Sequence, residues 1–199
     1  MSGFQNNDYP ASPHPTSVIG SLRTKTNIMF ELPSEAEWEF ACRAGTGEGF
    51  WNDGSRITDS SNCPNLPGRV AYNGGNPVSG DENYGVEDKH KWTAKNGTAI
   101  VGSYAPNKWG LYDMHGNVAE MTLDGLEQEG IENDKLGTAT AVEPRGGTLN
   151  KIHRICRGGA WNLLPEKCRS ASRASLVKRN VCNGYTGIGF RLAIVKEVK

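Results

Sequence analysis

Between Trp109 and Glu120 the chain reads Trp-Gly-Leu-Tyr-Asp-Met-His-Gly-Asn-Val-Ala-Glu. Asp113 and Glu120 stand on either side of a Gly116-Asn117 bend. A hard cation asks this of a loop: carboxylate oxygens at the ends and carbonyl oxygens turned inward between them. Such oxygen donors suit calcium better than zinc, which prefers imidazole or thiolate. The plain alternative is a solvated Asp and a Glu paired with a nearby Arg. His115 is expected to be structural, because calcium has little use for imidazole.

The five cysteines, Cys42, Cys63, Cys156, Cys168 and Cys182, form no CxxC or metal-finger spacing, and their odd number leaves at least one without an intrachain partner. Buried thiols in a reducing compartment are the expectation, with Cys156 and Cys168 able to pair only if oxidised. A catalytic role for Cys168 would need a base beside it, and none of the four histidines can be brought there by sequence alone.

The elements that must position these groups are short. Ser34, followed three residues later by Glu37, forms a capping box that opens a helix running to Gly45. Its buried face is expected to be Ala36, Phe40 and Cys42 or Ala41, with Trp38 flanking. A second helix is expected within Thr16 to Lys25, with Val18, Ile19 and Leu22 on one side. From Thr46 to Pro106 no apolar period persists, so long structured loops are expected, tethered by Trp51, Tyr72, Tyr84 and Trp92. Strands are expected at Val118 to Leu123, at Ile155 to Trp161 entering a Gly-Gly bend, and at Ile188 to Val195, with Phe190 and Leu192 opposite Arg191.

Twenty-five glycines and ten prolines point to a loop-rich chain with few helices. Acidic and basic residues balance at 22 each, which speaks against nucleic acid or an anionic membrane as partner. No apolar run approaches the roughly 18 residues of a membrane span. Residues 1–15 lack the apolar centre of a secretory signal, so a cytoplasmic product is expected.

Five pieces occur in order: Leu32 to Phe40, Asn107 to Val118, Arg157-Gly158-Gly159-Ala160-Trp161, Cys168 to Arg173, and Gly189-Phe190-Arg191. Together they resemble the formylglycine-generating enzyme, or sulfatase-modifying factor, family. The resemblance covers roughly residues 30–195. It implies an α+β class, a variant C-type-lectin-like fold, loop-rich with short strands, few helices and bound calcium. Residues 1–30 are expected as an N-terminal extension with a short helix, and residues 31–199 as the domain. The front is short for the family, so self-association or a partner chain completing the domain is also expected.

Carried over residue by residue, the resemblance implies a structural calcium ion held by the Asp113 side chain, the Gly116 and Val118 carbonyls and the Glu120 side chain. A further calcium site would fall in the loop with Asn73 and the Asp81 to Asp88 tract. The family's oxidases use a Cys-x4-Cys pair shortly after a Gly-Gly-Ser turn, and a thiolate pair suits Cu(I). Counting from the turn puts the first cysteine on Leu163 and the second on Cys168, or on Pro165 when counted back from Arg173. Neither count gives a pair, so copper is not expected. The Ser of the turn is Ala160, and the usual Trp-Glu-Trp is Ala119-Glu120-Met121.

These departures imply a ligand-binding module for a protein, peptide or glycan, with no catalytic residue assigned. The alternative is an oxidoreductase acting on sulfatases through a non-standard or partner-completed site. Related variable proteins of diversity-generating retroelements place ligand contacts between the Gly-Gly-Ser-Trp turn and Gly-Phe-Arg. The matching candidates here are Trp161, Asn162, Leu163, Leu164, Glu166, Val177, Asn180, Asn183 and Tyr185, together with Ser175, Val181 and Thr186. An ordinary surface loop, with Leu and Val packed inward, is the other reading. Arg157, Arg169, Arg173 and Arg191 are expected in ion pairs with Asp or Glu, Glu35 and Glu39 among them.

Overall fold

The computed structural model describes residues 13–50, 66–74, 97–126, 153–178 and 187–194. Helix α1 (Val18–Thr26) begins at Ser17, whose hydroxyl accepts from the Gly20 amide. It ends at Asn27, which takes the left-handed conformation as its amide bonds back to the Arg23 carbonyl. Strand β1 (Phe30–Glu31) leads into helix α2 (Glu35–Arg43). There the capping box is complete: Ser34 Oγ accepts from the Glu37 amide and Glu37 Oε2 accepts from the Ser34 amide at 2.7 Å.

The buried face of α2 differs from the expected one. Trp38 and Cys42 are buried, one turn apart, while Phe40 is 67% exposed and meets Trp109 edge to face at 4.9 Å. Trp38 wins the interior position because its indole N–H finds an acceptor there, the Glu120 carboxylate at 2.7 Å. On α1, Ile19 is buried and Val18 is 36% exposed.

The remaining elements are a one-turn helix α3 (Ala71–Gly74) and strands β2 (Ala119–Leu126), β3 (His153–Arg157), β4 (Arg173–Lys178), β5 (Ile188–Phe190) and β6 (Ala193–Ile194). A 3-10 turn spans Pro165–Lys167. Four strands lie in the order β4-β3-β2-β5, antiparallel except for the parallel β2–β5 pair, and β1 pairs β6 antiparallel in a separate small sheet. The run expected as one strand from Ile188 to Val195 is therefore broken at Arg191-Leu192 and divided between two sheets. The strand expected to reach Trp161 ends at Arg157. Gly158 and Gly159 follow it at φ 87° and 70°, a left-handed turn that leaves a strand.

Strand β2 is buried on both faces. Ala119, Met121 and Leu123 join Ile19, Leu32 and Cys156 in one apolar cluster, against which Phe30, Ile188 and Leu192 also pack. Glu120, Thr122 and Asp124 point the other way and are buried as well. Each has a partner: Glu120 takes the Trp38 indole, Thr122 donates to the Ile155 carbonyl, and Asp124 accepts from the Glu35 amide. The polar face of β2 is thus the seat of α2, and this contact fixes the Glu120 end of the Trp109–Glu120 loop.

Three of the patterned arginines meet carboxylates. Arg157, 1% exposed, pairs with Glu39, stands 3.4 Å from Glu35 Oε1 and donates to the Ser172 carbonyl. Arg173 holds Glu35 through two bonds of 2.7 and 3.0 Å. Arg191 goes to Glu120 instead of Glu35 or Glu39. Among the described residues Arg169 meets no carboxylate: its Nε donates to the Glu166 carbonyl, closing the 3-10 turn.

Candidate functional site

Asp113, Val118 and Glu120 line one open pocket of about 440 Å³, together with Val101, Gly102, Tyr112, Asn117, Phe190 and Arg191. Gly116 stands behind this lining, its amide bonded to the Gly158 carbonyl. The loop is bent by two non-glycine residues in the left-handed conformation, Asp113 at φ 55° and Asn117 at φ 63°. Asn117 is tied on both sides, its amide to the Arg69 carbonyl and its Oδ1 to the Ala99 amide.

The two carboxylates differ. Glu120 is fully engaged on one oxygen, where Oε2 accepts from Trp38 Nε1 and Arg191 Nε. Its Oε1 accepts only from Arg191 Nη2, at 2.9 Å. A carboxylate oxygen has two lone pairs, so Oε1 keeps one accepting position. Asp113 Oδ2 accepts from the Gly102 amide at 2.7 Å, whereas Oδ1 is buried with no hydrogen-bond partner. A buried anionic oxygen without a donor is costly unless a cation satisfies it. Among the described residues the Gly116 and Val118 carbonyls accept no loop or turn hydrogen bond. The donor set therefore fits a hard cation on a feature of this chain, and the ion pair of Glu120 with Arg191 coexists with it.

His115 and the thiols lie beneath. His115 is 1% exposed, and its Nδ1 stands 2.8 Å from the Cys168 carbonyl. Since that carbonyl can only accept, Nδ1 carries the proton, leaving Nε2 to face Cys42 Sγ at 3.7 Å. Burial holds the His115 imidazole at about 4, below its usual 6.5, with the Cys168 bond opposing. Cys42, Cys156 and Cys168 are buried free thiols. Burial pushes Cys42 and Cys168 up to about 12, the reverse of what a nucleophile or copper ligand needs.

The lowered His115 value makes stability depend on acid. As pH falls below about 6.5 the unfolded chain takes a proton that the folded chain refuses until about pH 4. Stability is expected to be insensitive to this group above pH 7. It is then lost at about 1.4 kcal/mol per pH unit between about 6.5 and about 4. Urea titrations across that range, on the protein and on His115→Gln, check it; equal slopes for both would remove His115 as the cause.

The positions expected around an oxidase centre are packed. Leu163 lies against Phe50, Leu66, Val70 and Cys168, Pro165 is buried at the start of the 3-10 turn, and Ala160 is 4% exposed. Ala119 and Met121 face the core under Ile19 of α1. Of the expected ligand contacts, Asn162 and Glu166 are exposed, Trp161 and Leu164 half-buried, and Leu163 committed to the core. Val177 and Ser175 lie on β4, paired in register with Arg154 and Cys156. Asn180, Val181, Asn183, Tyr185 and Thr186 lie outside the described residues, as do Trp51, Tyr84, Trp92, Cys63, Cys182 and the Asp81 to Asp88 tract. Asn73 is taken up by its own turn, accepting from the Val70 amide and donating to the Gly68 carbonyl. Sequence reasoning missed Tyr112, Phe190 and Val101 as the exposed apolar rim of the pocket. Tyr112 and Phe190 stand inside the patterned pieces, which marked them as part of the scaffold, whereas Val101 lies outside them.

Few helices, small sheets and glycine turns define a mixed α+β domain among the described residues. Residues 8–196 match the model of the sulfatase-modifying factor enzyme 1-like domain, and the chain belongs to that family. It is 29% identical over 167 residues to the formylglycine-generating enzyme of Thermomonospora curvata, covering 81% of this chain and 48% of that protein. It is also 31% identical over 144 residues to the serine/threonine-protein kinase pkn1 of Chlamydia pneumoniae, covering 71% of this chain and 18% of the kinase. The chain thus spans about half or less of the length of these relatives. Among solved structures, Treponema denticola variable protein 1 superposes with a TM-score of 0.57 at 26% identity, over 82% of this chain and 46% of that one. Among the described residues no helix is long and apolar enough to cross a membrane.

Proposed function

We propose that this chain is a calcium-stabilised ligand-binding module on a C-type-lectin-like scaffold, binding a protein, peptide or glycan without forming formylglycine. The reading rests on the pocket that gathers Asp113, Val118 and Glu120 while leaving Asp113 Oδ1 buried and unpartnered. Asp113 and Glu120 would hold the ion through their side chains, and Gly116 and Val118 through carbonyls. Bound there, calcium would join the 97–106 loop, through Asp113 and Gly102, to β2 through Glu120. The described thiols do not fit copper: Leu163 occupies one counted cysteine position, and Cys168 is buried and held protonated. The likeness to a segment covering 18% of a kinase supports use of the domain as a unit within larger proteins.

Calcium at a hundredfold excess over its Kd stabilises by about 2.7 kcal/mol. For a chain of this size that raises Tm by about 5–10 °C. EDTA is expected to reverse the rise, and Asp113→Asn to abolish it. A Tm indifferent to both would sink the calcium reading. Tight binding of one Cu(I), with oxygen-dependent turnover of a Cys-x-Pro-x-Arg peptide, would favour the oxidoreductase instead.

A further inference from the structure

The calcium reading gives an ion at this pocket four oxygen donors, whereas calcium takes six to eight. The site also opens to solvent. Its rim holds Val101, 81% exposed, Tyr112, 45% exposed, and Phe190, 41% exposed. Exposed apolar groups around a polar floor mark a place where something docks. Charge decides what kind. Asp113, Glu120 and Arg191 leave the pocket formally with one negative charge, and a divalent ion turns this into one positive charge. Arg191 spends Nε and Nη2 on Glu120 and the Tyr112 carbonyl, and its side chain remains 27% exposed. Among the described residues no hydrogen bond engages its Nη1.

We propose that the pocket receives a carboxylate carried next to an apolar group of a partner protein. The oxygens would complete the calcium coordination, Arg191 would bond one of them, and the apolar group would lie on Phe190 and Tyr112. The proposal rests on the calcium reading above. It also makes capture calcium-dependent, since without the ion the pocket repels an anion.

Terbium(III) substituted for calcium tests it, because luminescence lifetimes in H2O and D2O count the waters on the ion. About two to four waters are expected from the donor count. N-acetylphenylalanine, with a terminal carboxylate, and N-acetylglutamyl-leucine amide, with a side-chain carboxylate, should each be tried against their amide counterparts. At least one acid is expected to displace one or two waters while its amide displaces none. The acid that does so tells a chain terminus from an acidic side chain as the source. Phe190→Ala should weaken that acid roughly fivefold and leave terbium affinity unchanged. Terbium bound with no water, or water that neither acid displaces, would overturn the carboxylate site while leaving the calcium reading intact. Failure of terbium and calcium to bind at all would remove both.

Discussion

Gly116→Ala is expected to destabilise the protein by roughly 4 kcal/mol and to abolish calcium-dependent stabilisation. Gly116 has φ 74°, where a Cβ alone costs about 1–2 kcal/mol. That Cβ would also overlap the Arg69 carbonyl, backbone that cannot yield without losing its bond from the Asn117 amide. Gly110 supplies the control within the same loop: its φ is 78°, yet nothing lies within 4 Å of the Cβ position. Gly110→Ala should show the conformational cost alone, about 1–2 kcal/mol. Urea denaturation of the two variants separates strain from collision, and equal losses would refute the close approach of the loop to Arg69.

Arg157→Ala should cost about 3–5 kcal/mol, the range for stripping one partner from a buried ion pair. Arg157 is buried, with Glu39 and Glu35 on one side, the Ser172 carbonyl on another and the Trp38 ring centroid 5.6 Å away. Removing it leaves Glu35, whose side chain is 11% exposed, to Arg173 alone and Glu39 to Arg43, and opens a cavity beside Trp38. Arg173 shares Glu35 but is 21% exposed, so Arg173→Ala should cost clearly less. Chemical denaturation gives both numbers. An Arg157 variant no worse than the Arg173 variant would mean that α2 is held by its apolar contacts alone.

The parts of this fold legible in the sequence were those whose causes are local. Ser34 and Glu37 are three residues apart, so the capping box and the start of α2 follow from spacing. The Gly158-Gly159 bend follows from the absence of side chains. Its position, ending β3 at Arg157, does not. Which face of α2 is buried depended on an acceptor 82 residues away, Glu120, that prefers the Trp38 indole to the Phe40 ring. The break at Arg191-Leu192 was hidden for the same reason. An apolar alternation reads as one strand until a charged residue within it finds a buried partner. That Asp113 and Glu120 offer carboxylates at the two ends of one loop was legible in residue type. The loop's pocket was not, because Val101, Tyr112 and Phe190 reach it from three different stretches of chain. The arginines lay between these cases: their pairing with carboxylates follows from residue type, their choice of carboxylate only from packing.

The break at Arg191-Leu192 also bears on how the chain tolerates changes of length. Ile188–Phe190 pairs with Ala119–Met121 in one ladder, and Ala193–Ile194 with Phe30–Glu31 in the other. Only two residues separate the ladders. A single insertion or deletion there would force one sheet to slip by a residue, which turns each side chain of that strand to the opposite face. Either Arg191 would leave Glu120, or Ile194 would lose its place opposite Phe30. This short joint therefore acts as a ruler between the two sheets, and lineages of this domain should vary in length almost anywhere else before they vary here.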